Sequence, residues 1–236
     1  MLDGCALELD ADGAEHCAAA VPDADLYALR TFADATLKRW SGVRVFGGSV
    51  LSEVLGPGGS VGRRAHAIMG ATAQPVRAVL FDKTAVNNWA VAWHQTRTIA
   101  VRQRREAPGF GPWSVKAGVA HVEPPFEILA GMITLRVHLD DCAADNAPLL
   151  VAPGSHRLGR VPTSDAAAAA GRHGTAVCLA AAGDIWLYRT AIVHASERAR
   201  QPDRRRVLQI DYADRDLPCG LEWIGIEPAA AMQEVR

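Results

Sequence analysis

The sequence predicts an α+β chain, with an N-terminal helical portion leading into a β-sandwich or jelly roll. Three observations predict it. From Asp25 to Trp40, the residues Leu26, Leu29, Phe32, Ala33, Leu37 and Trp40 share one face at helical spacing. Gly56-Pro57-Gly58-Gly59 then breaks the pattern. Beyond it, apolar residues fall into short runs bounded by Gly, Pro, Asp or Asn, which is strand patterning.

In chain order these runs are VRAVLF, WAVAWH, TIAV, MITLRVHL, PLLVAP, TAVCLA, DIWLY and RVLQIDY. The alanine-rich stretch Ser164 to Gly171 reads as a brief helix or a loop. No internal repeat or linker interrupts the chain, so residues 1–236 are assigned to one domain with its core at about 75–212.

Composition narrows the function classes. Hydrophobic residues make up 49% and charged residues 22%, an ordinary globular balance. A net charge of -1 gives no electrostatic fit to nucleic acid. No run reaches the roughly 18 apolar residues of a membrane span, and the acidic start MLDGCALELDADGAEH does not read as a signal peptide. A cytoplasmic protein acting on a small molecule is the expectation; the oligomeric state is not legible. The five cysteines, Cys5, Cys17, Cys142, Cys178 and Cys219, form no CxxC pair and read as free thiols, with Cys178 in the core.

Two of the eight histidines have informative neighbours. His94 and His194 each lie at the end of an expected strand, with Arg205 eleven residues after His194 opening the next run. A histidine in that position suits metal binding, and an arginine fork suits a carboxylate through two parallel charge-assisted bonds. In MITLRVHL, Thr134, Arg136 and His138 alternate with apolar residues, giving a polar face that lines a pocket or meets solvent. Arg136 is a candidate substrate contact, as are His121 and Glu123 in KAGVAHVEPP. The substrate is expected to be small and polar or amino-acid-like.

The segments FDKTAVNNWAVAWHQ, LDDCAADNAPLLVAPGSHR and GDIWLYRTAIVHAS…RRR, in that order and spacing, resemble the phytanoyl-CoA dioxygenase family over roughly residues 75 to 212. The resemblance implies a cupin-like double-stranded β-helix that binds Fe(II) and 2-oxoglutarate and hydroxylates a small-molecule C–H bond. It implies that His94 and His194 are the iron-binding histidines and that Arg205 takes the far carboxylate of 2-oxoglutarate. Lys83, Gln95, Ser196 and Trp113 fall where the family places further co-substrate contacts. Asp140-Asp141 and His156 read as turn and loop anchors, and Arg204 and Arg206 point away from the Arg205 face.

One position departs from the family. The HxD motif reads His94-Gln95-Thr96 here, so the carboxylate of the iron-binding triad is missing. Four readings follow. The site is a weakened or silent oxygenase, or a binding protein on the same scaffold. Water fills the third position and hydroxylation survives. Chloride fills it, giving a halogenase. Or another carboxylate, Asp82 or Asp184, reaches the iron.

Overall fold

The computed structural model describes residues 6–38 and 40–227. Thirteen strands are placed there: β1 (Ala14–Cys17), β2 (Gly42–Arg44), β3 (Gln74–Lys83), β4 (Val91–Gln95), β5 (Ile99–Val101), β6 (Trp113–Lys116), β7 (Val119–Val122), β8 (Ile133–His138), β9 (Leu149–Val151), β10 (Ala176–Cys178), β11 (Ile185–Arg189), β12 (Val193–Ser196) and β13 (Arg205–Ala213). Helices α1 (Leu9–Asp12), α2 (Asp23–Leu37), α3 (Ser49–Leu55) and α4 (Gly62–Met69) precede β3. Helices α5 (Phe126–Ala130) and α6 (Ala166–His173) interrupt the strands.

The strands form a six-stranded sheet in the order β1-β11-β8-β13-β3-β2 and a four-stranded sheet in the order β10-β9-β12-β4. A small three-stranded sheet, β5-β7-β6, stands beside them. Every named pairing is antiparallel. This is the jelly-roll arrangement of a double-stranded β-helix, flanked by N-terminal helices.

Side-chain alternation gives the large sheet two different faces. Its outer face carries Leu80, Leu135, Val137, Leu187, Leu208 and Ile210, packed against Leu29, Ala33 and Leu37 of α2 and Leu51, Val54 and Leu55 of α3. That amphipathic helix face was legible in the sequence, but α2 stops at Leu37. Lys38 turns to φ 44, and Trp40 is exposed instead of joining the face. The inner face meets the four-stranded sheet. Trp186 and Tyr188 pack there against Leu149, Val151 and Cys178, so Cys178 is a core residue as expected. Cys17, Cys142 and Cys219 are also free thiols, and Cys5 lies outside the described residues.

Ion pairs fasten the large sheet to α2. Arg206 donates to both carboxylate oxygens of Asp140 (2.8 and 2.7 Å) and to Asp34 (2.9 Å). Arg204 reaches Asp34 at 2.8 Å. Both arginines therefore serve the outer surface. Asp141 caps a turn by accepting from the Ala182 N–H, which gives the Asp140-Asp141 pair its structural role.

Candidate active site

The site forms between the two sheets, where β4 and β12 lie side by side. His94 and His194 are direct cross-strand partners in that pair. Strand pairing puts such residues on one face with Cβ atoms a few ångströms apart, and here the ring centroids are 4.2 Å apart. Each imidazole is oriented in the same way. Nδ1 of His94 donates to Ala92 O, and Nδ1 of His194 donates to Ile192 O, both at 2.9 Å. That bond fixes the tautomer and leaves Nε2 with a free lone pair, as a metal-binding histidine requires. Burial, reinforced by the neighbouring His94, pushes the His194 pKa down to about 3, so its ring is neutral at ordinary pH.

The loop PGSH holds β12 in place. Ser155 Oγ accepts the Val193 N–H at 2.9 Å. His156 packs so closely on Gly13, in left-handed backbone at φ 80, that no Cβ fits there. His156 is thus a loop anchor, as its motif suggested.

Thr96 follows β4 and lines a cavity of about 500 Å3 together with His94, His194, Ser196 and Arg136. Neither of the two spare carboxylates is available to this position. Asp82 lies beside Arg204, at 3.4 Å. Asp184 accepts N–H bonds from Ala19 and Ala181 at 2.8 Å and meets His16 Nε2 at 2.9 Å. Burial works to raise the Asp184 pKa, but those bonds outweigh it and hold it below the usual carboxylate range. Among the described residues, no group of three or more His, Cys, Asp or Glu side chains is placed to hold a metal ion. The reading in which Asp82 or Asp184 completes the triad is corrected accordingly.

Behind the histidines, the inner face of the large sheet is strongly cationic. Lys83 on β3 and Arg205 on β13 are cross-strand partners. Both are 2% exposed, and Arg136 on β8 is 8% exposed. None of the three has a carboxylate partner among the described residues. Lys83 Nζ donates to Ser196 Oγ (3.0 Å) and Glu197 O (2.9 Å). Arg205 meets only Cys142 Sγ, at 3.9 Å, and its Nε is buried without a partner. Arg136 gives Nη1 to Gln209 Oε1 at 2.8 Å, and its Nε is likewise orphaned. His138, fully buried on the same strand face, has no partner on either ring nitrogen. Unpaired buried polar atoms are costly, and their concentration here marks a place built for an anion with several acceptor atoms.

Burial first, then Arg205 and Arg136, pushes Lys83 down from 10.5 to about 8. An unfolded chain keeps its lysine proton up to the higher value, whereas the folded chain releases it above the lower one. Between these values the unfolded state binds more protons, so stability rises with pH; below pH 8 the full penalty of the buried charge applies. Urea unfolding of the ligand-free protein and a Lys83→Met variant, run from pH 7 to pH 10, is expected to show this rise in the parent alone. Parallel curves would contradict the assignment.

Three sequence expectations need correction. Gln95 does not present a free amide. Its Nε2 donates to Ala191 O (2.7 Å) and Gly159 O (3.0 Å), and its Oε1 accepts from Val161 N (3.0 Å), making it a brace between β4 and the segment that follows the PGSH loop. Trp113 begins β6 in the small third sheet and packs with Ile99, Val122 and Phe110 rather than lining the cavity. His121 does not line the cavity itself: it is buried on β7, where Nε2 accepts from Arg44 (3.1 Å) and Nδ1 donates to Val119 O (3.0 Å). Arg136 does line the cavity, so the polar face of MITLRVHL points inward.

The sequence reading did not single out Arg97 and Arg160. Arg97 donates to both oxygens of Glu123 at 3.1–3.2 Å, and Arg160 bonds the same carboxylate. No motif marks them; only Glu123 carried a signal. A somewhat larger hollow of about 630 Å3, along Gln74, Leu221 and Trp223, contains none of the candidate residues. No helix among the described residues is long and apolar enough to cross a membrane.

Known structures share this architecture. The non-heme alpha ketoglutarate dependent epimerase SnoN from nogalamycin biosynthesis matches with a TM-score of 0.61 at 15% identity, over 94% of this chain and 92% of that one. EctD from S. alaskensis matches at 0.63 and 18% identity, over 94% and 79%. HygX from Streptomyces hygroscopicus, solved with nickel and 2-oxoglutarate bound, matches at 0.60 and 12% identity, over 95% and 90%. No curated protein sequence matches the chain. The sequence pattern of the family described as phytanoyl-CoA dioxygenase (PhyH) matches residues 18–207, a span that takes in both histidines and the buried arginine, and the chain belongs to that family.

Proposed function

We propose that this protein is an Fe(II)- and 2-oxoglutarate-dependent oxygenase that hydroxylates a C–H bond of a small molecule, with iron held by His94 and His194 and no protein carboxylate. The observation that carries this reading is the pairing of two imidazoles, each with a free Nε2, with three buried cations that have no carboxylate partner. The donor set fits a metal ion at two positions, and Thr96 adds no charge at the third. Iron supplies oxygen activation when bound. The chain's own residues bind and position. Arg205 and Lys83, with Ser196 held against Lys83, take the far carboxylate of 2-oxoglutarate, and Ser155 and Gln95 keep the histidine-bearing strands in register. The solved structure of HygX with 2-oxoglutarate supports the choice of co-substrate.

Halogenation is the second reading. The surplus of positive charge around the cavity favours an outside anion, such as chloride, where Thr96 leaves a ligand position open.

Anaerobic loading with Fe(II) and 2-oxoglutarate, followed by oxygen, tests both. The protein is expected to release succinate. Thr96→Asp is expected to tighten Fe(II) binding by about tenfold or more, since a 1.4 kcal/mol gain suffices, and to raise succinate yield. A succinate yield that depends on chloride and falls in Thr96→Asp would instead select the halogenase. If neither protein binds Fe(II) or 2-oxoglutarate, the chain is a binding protein on an oxygenase scaffold.

A further inference from the structure

The charges around the cavity do not balance. Arg77 is matched by Asp211 at 2.8 Å. Glu123 is shared by Arg97 and Arg160. Lys116 at the rim reaches only Thr98 Oγ1, at 3.4 Å. With Lys83, Arg136 and Arg205 unpaired, seven cations confront two carboxylates, and five positive charges have no counter-charge among the described residues.

The reading proposed above accounts for part of this surplus and leaves the rest. 2-Oxoglutarate brings two negative charges and Fe(II) two positive ones, so their sum leaves the net surplus unchanged, while Lys83 and Arg205 are the cations that face the far carboxylate. Arg136, Lys116 and the one cation in excess at Glu123 then remain, and of these only Arg136 and Lys116 have no carboxylate partner among the described residues. Both line the cavity that contains His94 and His194. Arg136 is buried; it bonds Gln209 at 2.8 Å, meets the Tyr188 hydroxyl and lies 6.0 Å over the Phe81 ring, but it has no carboxylate partner among the described residues and its Nε is unpartnered. A guanidinium so placed costs stability unless a ligand completes it, and its fork matches a carboxylate or phosphate.

Resting on the oxygenase reading, we infer that the primary substrate is a small anion whose carboxylate or phosphate is taken by Arg136 and Lys116. The cavity of about 500 Å3 limits it to a small molecule. Calorimetry of the Mn(II)-loaded protein, with and without saturating 2-oxoglutarate, tests this with two probe pairs. Glycerol 3-phosphate is compared with glycerol, and butyrate with butanol, and the member that binds tells phosphate from carboxylate. The anionic probe is expected to bind saturably, whether or not 2-oxoglutarate is present, while its neutral counterpart does not. Arg136→Gln is expected to weaken it by about tenfold or more, and exposed Lys116→Gln by about threefold, with 2-oxoglutarate affinity unchanged in both. Equal binding of neutral and anionic probes, no binding of either anion, or displacement of 2-oxoglutarate by the probe would overturn the inference. So would an Arg136→Gln variant that loses 2-oxoglutarate instead, since that assigns Arg136 to the co-substrate. Failure of 2-oxoglutarate to bind, with the anion still bound through Arg136 and Lys116, would sink the oxygenase reading and leave the anion site standing.

Discussion

Arg205→Met is expected to lower 2-oxoglutarate affinity by about a hundredfold or more while raising the unfolding midpoint of the ligand-free protein. Both effects come from one fact. The guanidinium is 2% exposed, meets no carboxylate, and lies near Lys83 and Arg136, two more cations. In the ligand-free fold it contributes only desolvation and repulsion, and a methionine of similar length removes both. Exchanges of buried ionic groups for apolar ones are neutral or stabilising by about 1–4 kcal/mol. In the complex the same fork supplies two charge-assisted bonds, whose removal costs about 3 kcal/mol or more. Thermal denaturation with and without 2-oxoglutarate reads both quantities. A variant that is less stable without ligand would show that Arg205 is a structural residue, and one that retains 2-oxoglutarate would remove it from the co-substrate site.

His194→Ala is expected to abolish Fe(II) binding in the micromolar range. In a typical facial triad one lost histidine leaves a histidine and a carboxylate; here it leaves His94 alone, because Thr96 brings no charge and no other ligand group is in place. The buried ring is neutral and bonded only to Ile192 O, so removing it breaks no ion pair, and the cavity left behind should cost about 2–4 kcal/mol. Equilibrium dialysis against Fe(II), with circular dichroism to verify folding, checks both. Metal affinity within a few-fold of the parent would disqualify the histidine pair as the binding site.

The sequence carried the site unevenly. His94, His194 and Arg205 were legible from their places at the ends and start of apolar runs and from the family motifs, and Lys83 from the motifs alone; strand pairing sets His94 opposite His194 and Lys83 opposite Arg205. Trp113 was not, because β6 belongs to a separate sheet and the loop before it sets no register. Gln95 carried a motif position but a different task, since alternation turns its amide away from the histidine face and into the backbone. His121 and Arg136 looked alike as polar residues within apolar runs. Of the two only Arg136 lines the cavity, because β8 lies in the middle of the large sheet, whereas the His121 ring is taken up by Arg44. The strand runs were found where they were apolar, whereas β1, β2, β6 and β7 were missed because they are short or polar and lie at edges or in the small sheet.

The pairing of β4 with β12 also bears on how the polypeptide assembles. Residues 94 and 194 are separated by a hundred positions of chain, and everything from β5 to β11 must be threaded between them. Closing so long a segment carries an entropic penalty that only the finished pair of packed sheets repays. The histidine pair therefore forms late, and a nascent or partly folded chain holds at most one of its two imidazoles in place. A ligand that needs both rings is therefore poorly suited to nucleate this molecule, and it meets two sheets that have already paired.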